Sequence, residues 1–246
     1  MIELKNVTRQ FKEGMGIKDV SFKIADNSVV VFIGDNGAGK TTTIRAIASE
    51  LKLQKGEILI DGQSLFENNN LKRLAFFPDT EVIPKDLNVD EYVRYTCAAH
   101  GIRRKKMLEK SEGIFKLLNL EPYINKKIKF LSSGIKKRVA MASVLALSPT
   151  YIFFDEPTAN LDIESKIEFQ QIIKVLSSIG VTILITSHLI EELQEIATHL
   201  VLINKGEIVY DKEFDPKTEK IIEIYKKFTK SIEIDTEVIQ KLYWED

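Results

Sequence analysis

The sequence is short of several things, and each shortage narrows what it can be. It has one cysteine, Cys97, so no intrachain disulfide can form. That suits a reducing compartment, and Cys97 is expected to pack as a small apolar residue on a helix. No apolar run approaches the ~20 residues that span a bilayer. VVVFI at 29–33 and YIFF at 151–154 are far too short, so the chain is expected to be soluble, or peripheral through a partner. Its opening residues, MIELKNVTRQF, lack the apolar core of a secretory leader. Neither charge sign is in excess: the formal net charge is −1, which gives no argument for nucleic acid or for an anionic surface as partner. No internal repeat or low-complexity tract is visible, apart from the asparagine turn at 68–70. With 246 residues, 44% of them hydrophobic, there is material for one large domain or a domain with a subdomain.

What is present is a phosphate-loop pattern. Residues 34–42 read G-D-N-G-A-G-K-T-T and match G-x-x-x-x-G-K-[ST]. The apolar run at 29–33 precedes it as a buried strand, and 42–51 is helix-compatible. A glycine-rich turn between strand and helix points successive backbone N–H groups at an anion, and the helix N-terminus adds partial positive charge. Gly34, Asp35, Asn36, Gly37, Ala38, Gly39, Lys40, Thr41 and Thr42 are therefore the candidate nucleotide cradle. Lys40 reaches the outer phosphates, and the Thr41 hydroxyl serves as a magnesium ligand. A glycine turn that binds nothing is the bland alternative; the flanking strand and helix argue against it.

The rest of the chain alternates. Strands are expected at 1–8, 17–24, 57–60 (turning at Asp61-Gly62), 73–77, 151–154 and 181–186, with a hairpin of 200–203 and 207–210 around Lys205-Gly206. Helices are expected at 89–99, 104–120, 133–147, 163–178 and 189–197, and from Pro216 through Lys230; Trp244 has no assignment. Strands alternating with helices imply an α/β fold with a mainly parallel sheet, covered on both faces, whose ligands sit at the strand C-terminal ends. Asp155-Glu156 and Ser187-His188 stand at two such ends beside the phosphate loop. Asp155 is placed to hold magnesium and Glu156 to polarise an attacking water. Solvated acids at a strand end would be the default reading without the loop.

At this point the chain resembles the ATP-binding cassette (ABC) ATPases. DEPT at 155–158 and ANLD at 159–162 match that family's Walker B and D-loop, and LSSGI at 131–135 its signature. Ser187-His188 matches the switch histidine, and Phe11 stands where the family carries an aromatic that stacks on adenine. The resemblance covers about residues 1–212. It implies a P-loop NTPase with a RecA-like core, an antiparallel β subdomain and an α-helical subdomain. The expected division is a cassette over 1–215, its helical subdomain at about 79–147, and a C-terminal helical extension over 216–246. It implies ATP hydrolysis with Glu156 and His188 catalytic, ATP and Mg²⁺ as cofactors, and Thr41 and Asp155 as metal ligands, with Asp79 a further candidate ligand. It further implies a head-to-tail dimer, homo- or heteromeric, in which Ser132, Ser133, Gly134 and Asp162 meet the partner's ATP. A helix N-cap at Ser132 or Ser133 is compatible with that. The partners implied are a second ATP-binding subunit and a transmembrane permease, not nucleic acid. The expected location is cytoplasmic, on the inner face of the membrane through the permease.

Two motifs depart from the family pattern. Asp79 stands where a glutamine follows Pro78, and it reads either as a metal ligand or as a turn residue. Ser133 and Ile135 replace one glycine of the signature and its glutamine. Phe77-Pro78-Asp79-Thr80 looks similar to a subset of bacterial exporters of the ABC-2 kind. The rival readings are an ABC ATPase without permease, such as an iron–sulfur assembly ATPase, and a degenerate cassette; intact Lys40, Asp155, Glu156 and His188 argue against the second. His100 and His199 carry no motif and are expected to be structural.

Overall fold

The computed structural model describes residues 1–159, 162–187 and 193–229, the Glu13 side chain apart. Its strands in chain order are β1 (Ile2–Gln10), β2 (Gly16–Ile24), β3 (Val29–Ile33), β4 (Lys55–Ile60), β5 (Gln63–Ser64), β6 (Leu74–Phe76), β7 (Tyr151–Asp155), β8 (Thr182–Thr186), β9 (His199–Asn204) and β10 (Glu207–Glu213). Its helices are α1 (Lys40–Ile47), α2 (Val89–Ala99), α3 (Arg104–Leu117), α4 (Ser133–Leu147), α5 (Ile163–Ser178) and α6 (Ile221–Phe228). They make two sheets, ordered β2-β1-β4-β5 and β10-β9-β3-β8-β7-β6. The first is antiparallel. In the second, β9, β3, β8, β7 and β6 run parallel and β10 closes the edge antiparallel.

The unbroken apolar run of β3 has a direct cause. Its alternate residues face two different cores, so no position is left for a polar side chain. Val29, Val31 and Ile33 pack with α2 to α6, while Val30 and Phe32 pack with α1 and the antiparallel sheet. β7 divides the same way, Ile152 and Phe154 to one side, Tyr151 and Phe153 to the other. Phe154 meets Phe169 of α5 edge-on at 5.2 Å and Phe77 at 5.5 Å, tying the strand to its covering helix. Cys97 is buried in that helical core, as its pattern predicts. No helix among the described residues is long and apolar enough to cross a membrane.

Several boundaries move for identifiable reasons. α2 starts at a capping box: Asn88 Oδ1 accepts from the Glu91 amide and Glu91 Oε2 from the Asn88 amide, each at 2.8 Å. α3 stops at Leu117, short of the expected 120. Asn119 enters the left-handed region at φ +52°, and the Leu120 amide reaches back to Phe115 O at 2.8 Å. That is a helix stop made by asparagine where glycine is the usual signal. β6 is two residues shorter than the expected 73–77, and β10 runs on to Glu213. In the tail, helix begins only at Ile221. The expected helix at 189–197 falls partly on residues outside those described, and Lys230 and Trp244 lie outside them as well.

Two glycines at left-handed φ separate backbone strain from close approach. Gly62 has φ +78° and open space where a Cβ would go; Gly206 has φ +82°, and its Cβ would lie 2.6 Å from Gly16 O. Gly206 also donates to Ala38 O at 2.9 Å and accepts from the Lys18 amide at 2.8 Å. We expect Gly62→Ala to cost about 1 kcal/mol, and Gly206→Ala distinctly more, in urea denaturation. Equal losses would show that the approach to Gly16 does not constrain this turn.

Candidate functional site

The loop that follows β3 is shaped by packing before any ligand is considered. A Cβ on Gly34 would stand 2.2 Å from Ile203 O, and one on Gly39 would stand 2.7 Å from Ile17 Cγ2. Gly39 holds φ +112° as the residue that opens α1, a conformation other residues reach only with strain. Asp35, Asn36, Gly37 and Thr41 are exposed, Gly34 and Thr42 half-buried, and Ala38, Gly39 and Lys40 buried. Lys40 Nζ lies inside the turn, donating to Gly34 O at 2.7 Å and Asp35 O at 3.1 Å. Burial pulls its ammonium below the ordinary lysine value, and the negative charges of Glu156, Asp155 and Asp35 push back. The loop is thus a row of backbone N–H groups bent around a buried cation.

The carboxylates arrive from the adjacent strand ends. β8 lies between β3 and β7, and its Thr186 pairs with Phe32 on one side and Asp155 on the other. Thr186 Oγ1 donates to Asp155 Oδ1 at 2.7 Å and accepts from the Glu156 amide at 3.0 Å. Thr41 Oγ1 donates to Asp155 Oδ2 at 2.8 Å. Glu156 sits at φ +48°, which for a residue with a Cβ costs about 1–2 kcal/mol. The turn that follows is pinned from α4: Lys137 Nζ donates to Pro157 O at 2.6 Å and to Ala159 O. Burial lowers the Lys137 ammonium's pKa, and the charge of Asp79 acts to raise it.

The remaining predicted residues lie outside this cluster. Ser132 and Ser133 are exposed at the start of α4, where Ser132 Oγ accepts from the Ile135 amide at 3.4 Å as the N-cap. Gly134 lies beside Ser165, whose Oγ would be 3.6 Å from an added Cβ. Asp162 caps α5, accepting from the Ser165 amide at 2.8 Å. That bond holds its carboxyl below the usual value. Phe11 is 41% exposed, with the Arg9 guanidinium 5.0 Å over its ring. Asp79 takes the turn role: its Oδ1 accepts from the Glu81 amide at 3.0 Å. Among the described residues no hydrogen bond or ion pair joins Asp79 to Thr41 or Asp155. His188, Asn160 and Leu161 lie outside the described residues. His199 is within 2.5 Å of Asp211 Oδ1 and His100 within 3.0 Å of Thr96 O, both local contacts.

Two residues of the cluster carry no sequence motif. Thr186 is legible only as a polar residue ending an apolar strand, and Lys137 only as one of three adjacent basic residues. Chemically, the arrangement offers a polyphosphate a line of N–H donors and an ammonium. It offers a hard divalent cation two oxygen donors, the Thr41 hydroxyl and the Asp155 carboxylate. Magnesium suits that set because it keeps water and phosphate ligands. No cluster of three or more His, Cys, Asp or Glu occurs among the described residues to compete for it.

Residues 17–159 match the family described as ABC transporter. The ABC transporter ATP-binding protein NatA of Bacillus subtilis is 33% identical over 218 residues, 85% of this chain and 88% of the relative. The SkfA peptide export ATP-binding protein SkfE of the same organism is 30% identical over 211 residues, 86% of this chain and 88% of that one. Among solved structures, the dimeric structure of MJ0796, a bacterial ABC transporter cassette, superposes with a TM-score of 0.77 at 26% identity, covering 87% of this chain and 99% of that one. With more than half of the chain inside the family match and the phosphate loop and strand-end carboxylates converging in three dimensions, the chain belongs to the ABC transporter family and is an ATP-binding, ATP-hydrolysing subunit of an ABC transporter.

Proposed function

We propose that this subunit works in a head-to-tail dimer, each ATP lying between the phosphate loop of one copy and the start of α4 in the other, and that the dimer drives a separate membrane permease of an exporter. The observation that carries the dimer is a separation within the chain. Ser132 and Ser133 open a helix with exposed side chains, Gly134 follows them half-buried, and among the described residues none of the three hydrogen-bonds to the chain's own loop at 34–42. Such a helix start is an anion site, and a second copy can bring its ATP there. Asp162 opens α5 beside it, Ser165 touching the Gly134 position. A solved cassette described as dimeric supports a dimer. The permease follows from the transporter family, and export from Phe77-Pro78-Asp79-Thr80 together with a relative named for peptide export.

In this reading the amides of 34–42 and the Lys40 ammonium bind the β- and γ-phosphates. Thr41 and Asp155 would hold magnesium, which would offset the phosphate charge when bound. Glu156 orients the attacking water and accepts its proton. Thr186 keeps Asp155 and the Glu156 backbone in fixed relation, and Lys137 fixes the turn beyond. Phe11 offers its exposed ring to adenine, and His188, outside the described residues, is the second catalytic residue beside Glu156. A magnesium role for Asp79 requires its turn onto the Glu81 amide to open. The domain division at 215, with the helical part at about 79–147 facing the permease, belongs to the same proposal.

Lys40→Ala removes charge-assisted bonds worth about 1.5–3 kcal/mol each, so ATP affinity should fall at least about 10-fold and hydrolysis should be lost. ATPase activity within twofold of the parent protein would overturn the loop assignment. Glu156→Gln should keep ATP binding and lower kcat by about 10²-fold or more. With ATP and magnesium it should elute as a dimer in gel filtration, and a monomer alone would contradict the head-to-tail reading. Thr186→Val keeps the volume but deletes the hydroxyl between Asp155 and the Glu156 amide. It should lower kcat by about 10-fold, the equivalent of one buried bond to a charged group; an unchanged kcat would remove Thr186 from the site.

A further inference from the structure

The phosphate loop has a partner from the far end of the described chain. The Tyr225 hydroxyl on α6 donates to Asp35 Oδ1, across a sequence separation of 190 residues. Asp35 is the first variable position of the loop, and its main-chain oxygen accepts from Lys40 Nζ and from the Ala38 amide, each at 3.1 Å. One residue is therefore gripped from inside by Lys40 and from outside by Tyr225.

α6 is held firmly enough to deliver that grip. Ile221 and Ile224 are buried in the helical core. The Ile221 amide donates to Gln194 Oε1 at 2.9 Å, and Gln194 Nε2 donates to Glu219 O at 2.8 Å. Phe228 packs on Tyr210 with ring centres 5.6 Å apart, and Asn204 Nδ2 donates to Phe228 O at 3.4 Å. Burial first, and the Asp35 carboxylate second, push the Tyr225 hydroxyl up to about 12. It therefore keeps its proton and remains a donor throughout the neutral range.

We propose that Tyr225 is a positioning residue of the ATP site, fixing the outer limb of the phosphate loop so that the loop's amides are ordered before nucleotide arrives. Ordering a loop in advance lowers the cost of binding. The benefit is shared by ground state and transition state, so it acts on nucleotide affinity and KM and leaves kcat alone. α6 thereby has a task in nucleotide binding that its sequence does not advertise. The inference rests on residues 34–42 being the ATP site.

The test uses the full chain, with Tyr225→Phe, Asp35→Ala, the double variant, and Lys40→Ala as reference. Tyr225→Phe keeps the ring in its packing and removes only the hydroxyl. It should raise the Kd for ATP and the KM about 3- to 10-fold, with kcat within twofold. Asp35→Ala should raise the Kd for ATP at least as much, and the double variant should be no worse than Asp35→Ala alone, because both break one bond. An unchanged Kd in Tyr225→Phe, a loss of thermal stability alone, additive effects in the double variant, or a fall in kcat at constant KM would each overturn the proposal. If Lys40→Ala still binds and hydrolyses ATP, the loop assignment itself fails. If Lys40→Ala is inactive and Tyr225→Phe is normal, only the role of Tyr225 fails.

Discussion

Both oxygens of the Asp155 carboxylate are taken, one by Thr41 from the first turn of α1 and one by Thr186 from the end of β8. This shared carboxylate is what the arrangement depends on. It exists only if β8 is inserted between β3 and β7 with all three strands ending level. Parallel neighbours cannot be joined by tight turns and need crossover connections. The crossovers supply the helices that cover both faces of the sheet. Residues 41, 155 and 186 can meet only after the intervening elements have packed.

The loop beside this carboxylate is restrained on every side that the described residues show. Ile203 and Ile17 stand against Gly34 and Gly39, Gly206 bonds Ala38, and Lys40 fills the inside. A buried ammonium is costly unless its donors are satisfied; here the loop's own carbonyls satisfy it. The same carbonyls give the loop its curvature. Strain at Glu156 is held in place in a comparable way, with the Thr186 hydroxyl on its amide and Lys137 on the two carbonyls just beyond. Left-handed backbone at a residue with a Cβ persists where surrounding contacts over-determine it.

α4 joins these parts to the exposed α4 start that a partner can reach. Its body, from Val139 to Ala146, is buried in the helical core, and Arg138 pairs with Glu168 of α5 at 2.6 Å. Lys137, one residue earlier, bonds the turn after Glu156. The N-terminal serines are exposed while the next turns are locked to the carboxylate strand and to α5. Lys137 thus links the first turns of α4 to the turn that follows Glu156.

The sequence by itself determined the parts whose signal is local. The loop at 34–42 was legible because its glycines and lysine fall at fixed spacing between an apolar strand and a helix. α4 and α5 were legible because their apolar spacing has helical period, and Ser132 marks the start of α4. The parallel sheet was legible from the alternation of strands with helices. Tertiary structure decided what depends on distant neighbours. Thr186 gains its role only from the order of strands, Lys137 only from the turn it meets, and Tyr225 only from the docking of α6 on the loop. Asp79 could be read as a metal ligand or a turn residue, and only the folded chain shows its carboxylate accepting from the Glu81 amide. The end of α3 escaped notice because asparagine stops it where glycine is the usual mark. A contact between residues 190 positions apart leaves no periodicity and no spacing in the chain, because it is set by packing that exists only once the whole has folded.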